Sequence, residues 1–69
     1  MMTWKTLKDS LTKEQYKNLM GLRQSYRMAD YDDNEEDAMV SLFGFVALLQ
    51  AYLNVDADSA MKMAESLMW

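Results

Sequence analysis

Six carboxylates crowd into the eight residues Asp30-Tyr31-Asp32-Asp33-Asn34-Glu35-Glu36-Asp37. Two kinds of chemistry use such a cluster. The first is calcium binding, because Asp30, Asp32 and Asn34 match the first, third and fifth positions of an EF-hand loop. That loop also needs glycine at its sixth position, for the sharp turn, and a bidentate glutamate at its twelfth. Glu35 and Ser41 stand there instead, so the pattern fails at its two most demanding positions and no metal is expected. The second is acid–base catalysis by paired carboxylates, which needs an apolar pocket to raise one of the two pKa values. An exposed run of like charges supplies none. Histidine and cysteine are both absent, which removes imidazole bases, thiol nucleophiles and their metal sites. Without a base, Ser10, Ser25, Ser41, Ser59 and Ser66 read as caps and helix-surface residues. The sequence predicts no enzyme, no cofactor and no small-molecule substrate.

Recognition chemistry remains. Lys13, Tyr16, Lys17, Arg23 and Arg27 share one helical arc and suit a phosphate backbone. Charge weighs against that use. The total is −4, and residues 1–29 carry six bases against two acids while residues 30–69 carry nine acids against Lys62 alone. Phosphate attraction supplies most non-specific affinity for nucleic acid, and a net negative chain opposes it. The acidic segment, Asp30, Asp32, Asp33, Glu35, Glu36 and Asp37, instead suits a basic protein surface. Eight methionines exceed what so small a core can hold. Met20, Met28 and Met63 lie off the best apolar arcs, and Trp69 falls outside its helix stripe, as on an adaptable binding surface.

These side chains need elements to hold them. Thr12 and Gln15 form a capping box, with Leu11 and Tyr16 spaced as a hydrophobic staple, and predict a helix over 12–29. Leu19, Leu22, Tyr26 and Ala29 share its inward arc. Gly21 lies between its faces and costs about 1 kcal/mol relative to alanine. Asn34 caps a second helix over 35–53, with Glu35, Glu36 and Asp37 at the positive end of its dipole. This helix is apolar nearly all round, and its small residues Gly44, Ala47 and Ala51, with Val40, are expected to receive another helix closely. Asp56 or Asp58 caps a third helix over 57–68. Trp4, Leu7 and Leu11 have the spacing of a short helix over 3–9.

The absence of proline and the two glycines exclude a turn-dense β domain or a glycine-rich phosphate loop. The fold class predicted for the 69 residues is all-α: one small three-helix domain, with the short N-terminal helix as an extra, around a nearly all-apolar central helix. Residues 38–55 have the minimum length of a membrane span. Ser41, Gly44, Gln50 and Asn54 interrupt them and no base flanks them closely, so a buried helix and a cytoplasmic protein are expected. The favoured function is a non-catalytic protein-binding module. By analogy of class it is a small inhibitor or modulator of a larger, nucleic-acid-handling protein, of the kind mobile elements and phages encode. Its partners would be a larger protein with a basic surface and a second copy of itself. A dimeric nucleic-acid-binding regulator and a structural subunit of a helical assembly are the alternatives.

Overall fold

Each helix starts where a side chain can satisfy a backbone N–H that has no intrahelical acceptor. In the computed structural model, which describes residues 3–68, four helices follow one another. Thr3 accepts from the Thr6 N–H at the start of α1 (Trp4–Ser10), and Thr12 from the Gln15 N–H at the start of α2 (Lys13–Tyr31). The Gln15 side chain accepts in turn from the Thr12 N–H at 3.1 Å, which closes the expected capping box. Asn34 caps α3 (Glu35–Leu53), and Asp56 rather than Asp58 caps α4 (Ala57–Leu67).

The first long helix runs two residues past its expected end at Ala29. The aspartates do not break it; they close it. Asp33 takes a left-handed conformation at φ 57°, the Asn34 N–H donates to the Ala29 carbonyl at 2.8 Å, and the Asp33 N–H donates to the Asp30 carbonyl at 3.2 Å. This is a Schellman closure with aspartate where glycine is usual.

Helices α2 and α3 form an antiparallel hairpin, and α1 and α4 cover one side of it. The core between them holds Leu7, Leu19, Phe45, Leu49, Leu67 and Met68, all essentially without solvent exposure. Trp4 locks the two covering helices together. Its ring packs edge-on against Tyr16 and Phe45, each at 5.8 Å between centroids. Its indole N–H donates to the Leu67 carbonyl at 2.8 Å. That carbonyl lies at the end of α4, where no further helical N–H reaches it. Arg23 donates to the same oxygen through Nε at 3.1 Å, with its guanidinium 5.5 Å from the Trp4 ring. A cation there also suits the negative end of the α4 dipole.

Among the described residues the other side of the hairpin is uncovered, so the apolar central helix is buried on one face. Phe45, Val46 and Leu49 of α3 are buried, but Met39, Val40 and Phe43 are 48%, 65% and 53% exposed. Ala47 and Ala51 are exposed as well, so among the described residues only Gly44 of the small-residue set meets another helix. Gly44 borders α2 at ordinary distance: a methyl group built on it lies 3.5 and 3.6 Å from the Leu22 methyls. By length and composition α3 is apolar enough to cross a membrane; here it supplies the bundle's largest core residue, Phe45.

Candidate functional site

The α2–α3 turn gathers the acidic residues into one exposed knob. Asp30 lies in the last turn of α2, Asp32 is its C-cap, Asp33 is the left-handed residue, and Glu35, Glu36 and Asp37 form the first turn of α3. All six are exposed. Asp37 is partly committed, because the Asn34 side chain accepts from its N–H and donates to its Oδ2 at 2.8 Å. Among the described residues no three carboxylates converge as metal ligands would.

Apolar side chains surround the knob. Met28 and Tyr31 of α2 are 58% and 88% exposed, and Met39, Val40 and Phe43 of α3 follow on its far side. Among the described residues, each of the large apolar side chains left exposed thus falls between positions 28 and 43. Two open clefts flank the turn. One, of about 510 Å³, runs between α2 and α3 and is lined by Gly21, Ser25, Met28, Asp32, Asp37 and Val40. The other, of about 240 Å³, lies beside Tyr26, Asp30, Asp33, Glu35 and Met39.

The remaining sequence candidates divide. Met20 is half-buried. Met63 is partly buried and packs against the core. Trp69 lies outside the described residues. Of the basic arc, Lys13, Lys17 and Arg27 are exposed, but two members are turned inward. Tyr16 is half-buried against Trp4, and Arg23 holds the Leu67 carbonyl. The ladder of an aromatic between bases is therefore not assembled.

Sequence reasoning missed Tyr31, Met39, Val40 and Phe43 as surface residues. A signal existed. Glu36, Val40, Phe43, Ala47, Gln50 and Asn54 follow one another at three- and four-residue steps, so they share a helix face. The polar residues at its two ends mark that face as wet. At the opposite end of the hairpin, Asp56 has its carboxyl held below the usual range by the Ser59 backbone N–H and then by the Ser59 side chain. That is the chemistry of a cap. The chain matches no family model, and no curated protein or solved structure is detectably similar to it.

Proposed function

We propose that the protein is a non-catalytic protein-binding module whose acidic turn and bordering apolar side chains dock on a larger protein. The observation that carries this reading is the coincidence of six exposed carboxylates with Met28, Tyr31, Met39, Val40 and Phe43 on the half of the hairpin nearer its turn. Apolar groups that a small fold leaves in water, ringed by charge, are what protein interfaces use: aromatic and methionine anchors supply affinity, and the charges steer and select. The complementary surface is basic at its rim and apolar at its centre. Surfaces that handle nucleic acid supply the basic part of that match, and inhibition of such a protein is the function we favour by class analogy. The nucleic-acid-regulator reading is weakened by the inward turn of Tyr16 and Arg23.

Tagged protein purified from its source cell would identify the partner. Binding is then measured with the purified partner. Asp33→Gly is a gentle way to remove charge, because glycine suits the left-handed position better than aspartate does. Combined with Asp32→Asn and Glu36→Gln, it should weaken binding at least about tenfold while the helical spectrum persists. Parent affinity should fall with salt, since exposed charges are screened within about 8 Å at physiological ionic strength. Lys13, Lys17 and Arg27 changed to glutamine should bind the partner like the parent. Low-salt nucleic-acid binding that vanishes with those three bases would overturn the reading.

A further inference from the structure

Gly21 lies near the middle of α2, on the uncovered side of the hairpin, and nothing within the chain requires a glycine there. A methyl group built on it meets no atom within 4 Å, and its φ is negative. Glycine is among the poorest residues for a helix interior. Close approach by another surface is a reason to keep one. Met28, two turns further on, projects 58% exposed. Lys17, Gly21, Gln24, Met28 and Tyr31 follow the alternating four- and three-residue spacing of a helix–helix seam. They line one open cleft of about 700 Å³, and Asp32 joins Gly21 and Met28 on the neighbouring cleft.

The pattern is symmetric about the midpoint between Gln24 and Ser25. Gly21 and Met28 are equally distant from that point, and so are Lys17 and Asp32. We infer that two copies associate through this face, α2 antiparallel to α2, about a two-fold axis at that midpoint. Met28 of each copy then seats over Gly21 of the other, and Lys17 of each lies beside Asp32 of the other. Charge complementarity selects a second copy as the occupant. Three bases line this cleft, Lys17, Arg23 and Arg27. Arg23 is held by the Leu67 carbonyl. The two-fold sets Lys17 against the acidic turn twice, at the cost of bringing the two Arg27 side chains near each other, whereas a parallel pairing would stack every charge on its like.

This inference goes beyond the partner binding proposed above; it shares Met28, Tyr31 and Asp32 with that surface, so a second copy and the larger protein would compete for them. A protein that stays monomeric yet binds its partner refutes the dimer alone, and a dimer with no larger partner refutes only the earlier reading. Sedimentation equilibrium of the full chain, from about 1 to 500 µM and at low and high salt, reads the association. The parent should dimerise, and more weakly at high salt. Gly21→Leu fills the seat from a Cβ that meets no atom of its own chain within 4 Å and stands on an exposed position, so it should fold and dimerise at least about tenfold more weakly. Lys17→Glu should act alike, and adding Asp32→Lys to it should restore association to within about threefold of the parent. The chain has no cysteine, which permits a register test. Gly21→Cys mixed with Met28→Cys should form a disulfide on oxidation far more readily than either variant alone. A parent that is monomeric at the highest concentration would overturn the inference. So would a dimer indifferent to Gly21→Leu and the charge exchange, or equal disulfide yields in mixed and unmixed samples.

Discussion

Gly21→Ala should stabilise the dilute protein, and the size of the gain follows from the surroundings of one absent methyl group. The new methyl meets nothing within 4 Å and the backbone is already helical, so neither strain nor a clash opposes it. What remains is the difference in helix propensity, about 0.8–1.0 kcal/mol in favour of alanine, much of it entropy that glycine retains in the unfolded chain. A chain of this length unfolds with an entropy of about 0.14 kcal/mol/K near 60 °C, from about 2.1 cal/mol/K per residue. The melting temperature should therefore rise by about 6–7 °C. Circular dichroism at 222 nm, on protein dilute enough to be monomeric, measures it. At high concentration the gap should narrow, because the parent gains stability by mass action from a dimer that the methyl group obstructs. Gly44→Ala is the control: its methyl would sit 3.5 Å from Leu22, an ordinary packing distance, and should stabilise by a similar amount. A dilute Gly21→Ala protein that melts at or below the parent temperature would refute the reasoning, because position 21 would then not be open.

Phe45→Ala should open a cavity in the fully buried centre and cost about 3–5 kcal/mol. For a chain of this size, whose total stability is about 3–10 kcal/mol, that is enough to leave much of the population unfolded in a urea titration. Ala47→Leu, on the exposed side of α3, should leave the dilute melting temperature within the scatter of ordinary surface substitutions, about ±0.5 kcal/mol; a large loss would mean that the face is covered. Trp4→Phe removes one of two donors to the Leu67 carbonyl and should cost at least about 0.5–1.5 kcal/mol, visible as a shifted urea midpoint. Asp56 has a folded pKa below its ordinary value near 3.8. Its stabilising effect is therefore present above that value and lost as pH falls through the lower, folded one. Asp56→Asn keeps a cap that does not titrate, so its stability should decline less than the parent's between about pH 5 and pH 2; parallel declines would contradict that assignment.

The helix starts were legible because caps are local. Thr12 with Gln15, and Asn34 with the acids that follow, announce themselves within four residues. The end of α2 was not, because Asp33 fills a left-handed position that composition assigns to glycine, and the closing hydrogen bonds appear only once the backbone has turned. Core membership on α2 was legible from periodicity, as the buried Leu19 and Ala29 of its inward arc show. On α3 periodicity carried less information. When apolar residues occupy every side, the sequence does not say which side the rest of the chain reaches, and Ala47 went to water while Phe45 went to the core. The acidic part of the candidate site was plain as a run of charge. Its apolar surround was hidden for the same reason as the open face of α3. Arg23 was misplaced because its acceptor, Leu67, is remote in sequence and belongs to another helix.

The hydrogen bond from Trp4 to Leu67 joins residues 63 positions apart, and that separation sets an order of events in folding. A short turn closes the α2–α3 hairpin, whereas the Trp4–Leu67 contact closes a loop of about 60 residues, and loop-closure entropy is spent before such a contact rewards it. The hairpin is therefore expected to form first and the Trp4–Leu67 bond late. In between, the side that carries Phe45 and Leu49 awaits cover by α4, and the aspartates and glutamates at the hairpin's tip are the charges that keep such half-closed chains apart.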